Sequence, residues 1–275
     1  MSAASLPYTV LLLLVELAAG SLAMLTVFDA RRQVTTGYVK AGAITVVPLV
    51  ILAAWAYLTI SNVPDVDGYV MDTAWFRPFG IALSVFLVLS VAHMVAAMRE
   101  AHRAGVALGA AGSAAGAVAL VTLALLVAPP AWSTAGAVLS VLASAAALGT
   151  ANMAMIWGHW YLTSGRLPKE PMEQMALVVF AALVLQTVLV LIGAFAPARG
   201  IPLDGAGVAL SQNFAFWLRV GVGLLFPLGA VWLAFKAAQI RGMMSATGLM
   251  YIALGAILAG EVLARGLLFT TGAAV

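Results

Sequence analysis

Eight stretches of about 20 mainly apolar residues dominate this sequence. Of its 275 residues, 64% are hydrophobic and 8% are charged, whereas roughly a quarter of the residues of soluble domains are charged. A helix needs about 20 apolar residues to cross the hydrocarbon core of a bilayer. The sequence therefore predicts a multi-pass membrane protein and leaves very little chain for anything outside the membrane.

The apolar runs predict helices rather than strands. The run YTVLLLLVELAAGSLAMLTVF, residues 8–28, is apolar on every face, whereas a transmembrane β-barrel requires alternating polar and apolar residues. We expect an all-α bundle of about eight spans that forms a single integral membrane domain over residues 1–275. The predicted spans are 8–28, 41–60, 78–98, 106–128, 135–157, 175–196, 215–235 and 246–269.

Lysine and arginine are distributed unevenly among the predicted loops. Nine of the 13 lie in loops that follow odd-numbered spans, and only Arg77 and Arg199 lie in loops on the other side. Because cytoplasmic loops are enriched in Lys and Arg, both termini are predicted to lie outside the cytoplasm, with the chain in the cytoplasmic (inner) membrane. This topology explains the net charge of +3, so membrane lipid rather than nucleic acid is the expected partner.

Two loops on the predicted outer side, residues 61–77 and 197–214, are longer than the others and are the expected docking or gating surfaces. The first contains Asp65, Asp67 and Asp72, opposed only by Arg77. This acidic rim could meet a basic partner or bind a divalent cation weakly. It could equally be a solvated loop without a ligand.

Four charged residues lie inside the predicted spans, at similar depth. Glu16, Arg219, Glu261 and Arg265 are four to eight residues from the outer ends of their spans, which corresponds to roughly 6–12 Å. Buried charges need partners, and Glu261 and Arg265 are spaced i, i+4 so that they can touch on one helix face. One hypothesis is a neutral network that joins three helices, and the other is a quinone or proton-handling site.

Two histidines near the other, inner ends of their spans allow a different hypothesis. His93 and His159 lie near the inner ends of their spans and could bind a haem b iron axially. Asn152, about two turns before His159, could orient that imidazole or bond to a neighbouring helix. The alternative is that these are interfacial histidines in an aromatic belt with Trp157, Trp160 and Tyr161.

The chain contains no cysteine, so it cannot hold a thiolate-bound iron–sulfur cluster by itself. It also lacks a phosphate-binding glycine-rich loop, a zinc-protease motif and a nucleophile elbow, and we predict no metal site. Any iron–sulfur cluster is therefore expected in a partner subunit, and this chain is expected to be a non-catalytic or quinone-reacting subunit.

The last span, LGAILAGEVLARGLLFTTGAAV (254–275), resembles the closing helix of the membrane-anchor subunits of dimethyl sulfoxide reductases, and VELAAGSLAMLTVFD (15–29) resembles their opening helix. The broader group includes polysulfide-reductase-type membrane subunits. The resemblance implies eight spans, a partner iron–sulfur subunit, a metal-containing catalytic subunit, and electron exchange with menaquinone without haem. Gly260, Glu261 and Arg265 are the positions that match the family pattern.

The sequence thus predicts a membrane anchor that exchanges electrons between the quinone pool and an outward-facing iron–sulfur partner. In this hypothesis Glu261 and Glu16 handle protons, while Arg265 and Arg219 hold their charge. Two alternatives remain open. One is a haem b cytochrome subunit built on the two histidines, and the other is a small-solute or ion transporter built on the four charged residues.

Overall fold

The computed structural model describes residues 4–164, 167–196 and 210–272. Eight helical segments within these ranges are long and apolar enough to cross a membrane, which confirms the predicted multi-pass helical bundle. Tyr8, near the start of the first span, and Phe269, near the end of the last, have ring centroids 6.2 Å apart. The first span therefore begins and the last span ends at the same end of the bundle, called the termini end below. The first six spans and the last are Leu6–Ala30 (α1), Thr36–Thr59 (α2), Phe76–Met98 (α3, after a short 3-10 turn), His102–Val127 (α4), Thr134–Ser164 (α5), Glu170–Phe195 (α6) and Met243–Thr271 (α9).

Several helices are longer than the apolar runs that predict them. α5 continues to Ser164 instead of ending near residue 157, and α2 begins at Thr36 instead of residue 41. The hydroxyl of Thr35 caps α2 by accepting a hydrogen bond from the Tyr38 backbone at 3.3 Å. Hydropathy locates only the part of a helix that crosses hydrocarbon, whereas caps and backbone hydrogen bonds extend it into polar surroundings. His159 therefore lies within α5, near its end, and not at its last residue.

The seventh span is not a regular helix. It begins as an α-helix, passes through a π-helical turn and continues as an α-helix that has Pro227 near its start. Pro227 has no backbone N–H to donate, which favours a break in the regular hydrogen-bond pattern at this point. π-helical turns are rare and are often found at functional sites. The three parts are Phe214–Val220 (α7), Gly221–Leu225 (π turn) and Phe226–Gln239 (α8).

Small residues allow α1 to lie in the middle of the bundle. A Cβ atom at Gly20 would overlap the backbone carbonyl of Ala145, and one at Gly149 would overlap the backbone of Gly20. Small residues permit such close helix crossings. On the other side of α1, Gly112 and Gly116 of α4 leave no room for a side chain beside α1 and α3. α1 therefore contacts α2, α4, α5 and α9.

An antiparallel hairpin at the termini end places an aromatic side chain in the bundle. Tyr69 is fully buried, its hydroxyl donates to the Val127 carbonyl, and its ring centroid is 5.0 Å from that of Phe269. Tyr8 lies on the other side, with its ring centroid 6.2 Å from that of Phe269. These three rings, Tyr8, Tyr69 and Phe269, are called the aromatic lid below. The hairpin consists of the two-residue strands Asp65–Val66 (β1) and Tyr69–Val70 (β2).

The other predicted docking loop is only partly described, because residues 197–209 lie outside the described ranges. The predicted location of the termini end, outside the cytoplasm, stays a prediction.

Candidate functional site

The four charged residues that the sequence places at similar depth are in contact in the structure. Glu16 lies on α1, Arg219 on α7, and Glu261 and Arg265 on α9, and none of them is more than 2% exposed. Two uncharged polar side chains from α5 and α6 complete the group. The six residues, called the charge cluster below, are Glu16, Ser144, Gln186, Arg219, Glu261 and Arg265.

Glu261 is at the centre of the charge cluster. Its Oε1 accepts hydrogen bonds from Arg219 Nη2 at 3.0 Å and from Gln186 Nε2 at 2.7 Å. Its Oε2 accepts from Ser144 Oγ at 2.7 Å and from Arg265 Nη2 at 3.3 Å. Hydrogen bonds to ionised groups are stronger than those between neutral groups. One carboxylate therefore links four helices, α5, α6, α7 and α9.

Arg265 joins this carboxylate to a second one. Its Nη2 donates to Glu16 Oε1 on α1, to Ser144 Oγ at 3.0 Å and to Glu261 Oε2. The contact between Glu261 and Arg265 is the i, i+4 contact that the sequence spacing predicts. Two acids and two bases give the cluster no net formal charge, which lowers the free-energy cost of burying it.

Sequence reasoning missed Ser144 and Gln186. Gln186 also donates to Ser144 Oγ, at 2.9 Å. An amide within an apolar run, as in AALVLQTVLVLIG (181–193), is a usable signal because an amide in hydrocarbon needs a partner. Ser144 gives no such signal, because a helical serine can bond to its own helix, as its 2.9 Å contact with the Ser140 carbonyl shows.

The charge cluster retains unused hydrogen-bonding capacity. Five of its buried atoms have no protein partner among the described residues: Glu16 Oε2, Gln186 Oε1, Arg219 Nε, Arg219 Nη1 and Arg265 Nε. Buried polar atoms are normally paired with protein or with ordered water. The cluster can therefore bind water molecules or a polar ligand group without first breaking its own contacts.

The glycines beside Arg219 explain how a guanidinium fits between α7 and α9. Gly223 of the π turn and Gly260 of α9 face each other, and a Cβ at either would overlap the backbone of the other. The same Cβ atoms would lie 3.1 Å and 2.9 Å from Arg219 Nη1. Gly260, one of the positions carried by the family resemblance, thus leaves space for Arg219 next to Glu261.

The aromatic lid lies between the charge cluster and the termini end. Phe269 follows Arg265 by one helical turn, and Tyr8 precedes Glu16 by two, which corresponds to about 6 and 12 Å along the helices. Phe269 is 3% exposed and Tyr69 is fully buried. The rings therefore separate the cluster from the surface at this end.

An apolar cavity of about 420 Å³ lies between α6 and α7 on the same half of the bundle. Two of its lining residues, Thr187 and Val220, are the sequence neighbours of Gln186 and Arg219. The other lining residues are Val190, Leu191, Ala194, Phe195, Leu210, Ser211, Phe216, Trp217 and Leu224. The wall of the cavity is therefore formed by neighbours of cluster residues and not by the charge cluster itself.

The two histidines lie in different surroundings. His93 is buried on α3, with Nδ1 2.9 Å from the Gly105 carbonyl of α4, whereas His159 is exposed on α5. Asn152 donates to Ser21 Oγ at 3.0 Å and so links α5 to α1 instead of orienting His159. One buried and one exposed imidazole give no support to a shared haem iron, and haem b stays a prediction.

Within the three described ranges, no group of three or more acidic or histidine side chains is placed to hold a metal ion. The chemistry available at the charge cluster is therefore that of carboxylates and guanidinium groups. Carboxylates can accept and release protons, and guanidinium groups can stabilise negative charge and donate hydrogen bonds to a carbonyl oxygen.

Comparison of the chain with protein-family models, with curated proteins and with solved structures finds no match. The resemblance of the first and last spans to reductase membrane anchors therefore stays a prediction, and the geometry of the charge cluster supplies the main argument about function.

Proposed function

We propose that this protein is the membrane subunit of a respiratory oxidoreductase complex that exchanges electrons between a quinone pool and an outward-facing iron–sulfur partner subunit. The observation that supports this proposal is the charge cluster, in which two buried carboxylates contact two arginines near the termini end of the bundle. Ionisable groups in such surroundings mark substrate or proton pathways.

The arrangement suits the proton chemistry of a quinone. Oxidation of a quinol to a quinone releases two electrons and two protons. The electrons pass to the iron–sulfur partner, and the protons pass one at a time to carboxylates. Glu16 has the free oxygen Oε2, whereas both oxygens of Glu261 accept hydrogen bonds. Glu16 is therefore the better first acceptor, and Arg265 connects it to Glu261.

The need for a partner follows from the composition. A chain without cysteine cannot hold a thiolate-bound cluster, so the electrons must come from or go to another subunit, which the family resemblance identifies as an iron–sulfur protein attached to a metal-containing catalytic subunit. The excess of Lys and Arg at the other end of the bundle supports an outward-facing termini end in the cytoplasmic membrane.

The first test is to purify the chain from its native membrane in mild detergent, identify the proteins that accompany it and record a reduced-minus-oxidised visible spectrum. The expected result is an iron–sulfur subunit and a metal-containing subunit, without a haem signal. A haem band would replace the proposal by the cytochrome alternative. A preparation without any redox partner would overturn it.

A second test separates proton handling from helix joining. Glu261→Gln by itself leaves Arg219 without its counter-charge, so a loss of quinol turnover could reflect misfolding. Glu261→Gln combined with Arg219→Gln restores charge balance, and this double variant is the informative one. If it folds and assembles but loses turnover, Glu261 handles protons. If turnover persists, the cluster only joins helices.

One observation favours a second candidate, a small-solute or ion transporter. The seventh span is interrupted by the π turn directly after Arg219 and has Pro227 close behind. Transporters use interrupted helices to expose backbone groups to a substrate. Flux through proteoliposomes that contain this chain alone would support the transporter, and an obligate redox partner would count against it.

A further inference from the structure

We propose that the hairpin between α2 and α3 is a movable cover over the charge cluster, and that Tyr69 is the side chain that closes it. With Tyr69 in place, the aromatic lid keeps water away from the cluster. When the hairpin moves outward, water reaches the cluster from the termini end. This inference goes beyond the proposed function, because it concerns access to the cluster and holds whether the carboxylates serve a redox reaction or transport.

The hairpin has one buried and one exposed face. Its buried side chains, each at most 4% exposed, are Val66, Tyr69 and Met71. Asp65 and Asp67 are exposed. The turn has a positive φ at Asp67 and at Gly68, and Asp-Gly favours such a turn. A pair of two-residue strands is marginally stable by itself, so burial of the inward face holds the hairpin on the bundle.

The hairpin is attached to α4 by hydrogen bonds that water can replace. The Tyr69 hydroxyl donates to the Val127 carbonyl. The Asp72 backbone N–H donates to the Leu126 carbonyl at 2.9 Å. Both acceptors lie in the last turn of α4, where carbonyl groups have no partner within their own helix. Water can take the place of both donors, so an outward movement leaves these two carbonyls satisfied.

A cavity on the solvent side of the aromatic lid is the source of water. It has a volume of about 530 Å³ and lies between the hairpin, the start of α1 and the end of α2. Asp65 and Ser61 are exposed members of its wall, and Tyr8 of the aromatic lid is a buried one. The Tyr8 hydroxyl donates to the Ser61 carbonyl at 2.9 Å. The aromatic lid therefore borders open space on its outer side.

The charge cluster lies on the inner side of the aromatic lid. Leu12 and Glu16 follow Tyr8 on the same face of α1, at about 6 and 12 Å along the helix, and both are fully buried. Tyr69 interacts electrostatically with the Arg265 guanidinium. Glu16 Oε2 and Arg265 Nε have no protein partner among the described residues. Water that passes Tyr69 therefore meets polar atoms that can bind it.

The test measures how fast a charged, water-soluble thiol reagent reaches a single cysteine behind the aromatic lid. The chain has no cysteine of its own, so Leu12→Cys introduces one reactive thiol on the inner side of Tyr8. In the full chain in lipid nanodiscs, it should react at least about tenfold more slowly than Ser61→Cys on the wall of the outer cavity, because the hairpin must open first. Equal rates would overturn the proposal.

Two substitutions test the closing role of Tyr69 in the Leu12→Cys protein. Tyr69→Ala removes the ring and should speed the reaction at least about tenfold, because it leaves space in the lid. Tyr69→Phe keeps the ring and loses the hydrogen bond to α4, so it should speed the reaction by about two- to tenfold. The matched control is Tyr251→Ala, which removes a partly exposed ring elsewhere on α9 and should leave the rate unchanged.

Helical circular dichroism and a monodisperse elution profile identify the folded variants. If Tyr69→Ala does not fold, the milder Tyr69→Phe still decides. An unchanged rate in Tyr69→Phe, or an equal acceleration in Tyr251→Ala, would overturn the proposal. No partner and no quinone take part in this measurement. Its failure therefore leaves the proposed function standing, whereas a chain purified without a redox partner refutes that function and leaves the cover intact.

Discussion

The ion pair between Arg219 and Glu261 predicts a specific result in a double-mutant cycle. The pair is buried, with 3.0 Å between Arg219 Nη2 and Glu261 Oε1. Glu261→Gln leaves a guanidinium without its counter-charge, and Arg219→Gln leaves an excess carboxylate. Removing one partner of a buried ion pair costs about 3–5 kcal/mol, because the remaining charge is uncompensated. The double variant restores a neutral cluster.

We therefore expect each single variant to lower the free energy of unfolding by about 3–5 kcal/mol. The double variant should lower it by less than the sum of the two, with a coupling energy of about 2–3 kcal/mol, at the upper end for residues in contact.

The measurement is reversible unfolding in mixed micelles, followed by helical circular dichroism, for the unmodified protein and the three variants. The matched control is Glu173→Gln, which removes a partially exposed partner of Lys169 at 2.8 Å on α6. Exposed ion pairs contribute about 0–1 kcal/mol, so this control should lose no more than that. Single variants within about 1 kcal/mol of the unmodified protein, or strictly additive effects, would refute the reasoning.

Four further substitutions have defined expectations by the same unfolding measurement. Gly20→Ala should cost about 3 kcal/mol, the upper end of the usual range for overpacking, because its Cβ would overlap the Ala145 carbonyl. Gly255→Ala, whose Cβ would have no atom within 4 Å, should be neutral or stabilise the protein by up to about 1 kcal/mol. Similar effects at both glycines would contradict the close crossing of α1 and α5. Tyr69→Phe removes a buried donor to a carbonyl of α4 and should cost about 1–3 kcal/mol. Ser144→Ala should cost a similar amount, and an unchanged stability would show that its contacts with the charge cluster are dispensable.

Part of the charge cluster could be predicted from the sequence because burial in hydrocarbon makes any charge exceptional. Glu16, Arg219, Glu261 and Arg265 were identified in this way, and only the contact between Glu261 and Arg265 follows from spacing along one helix. The others depend on which helices are neighbours. Ser144 was missed because a helical serine can bond to its own helix, whereas Gln186 carried a usable signal, an amide within an apolar run, that was overlooked.

The histidines show the reverse situation. The sequence places His93 and His159 at similar depth in the membrane, which was compatible with a shared haem iron. Depth along the membrane normal does not tell, however, which way each side chain points around its helix axis. His93 is buried against α4 and His159 is exposed on α5, a difference that depends on how each helix is rotated in the bundle. Asn152 likewise bonds to Ser21 of another helix, as one of the two sequence-based alternatives stated.

The sequence by itself determined that the chain consists of about eight apolar helices suited to a lipid bilayer, and which charged residues needed a partner. Both follow from the free energy of transferring side chains and backbone into hydrocarbon. Only the tertiary structure decided that Glu16 of α1 contacts Arg265 of α9 and that Ser144 of α5 and Gln186 of α6 join them. The physical reason is that lipid-facing and protein-facing residues are both apolar in a membrane, so helix adjacency is decided by close contacts such as that of Gly20 with α5.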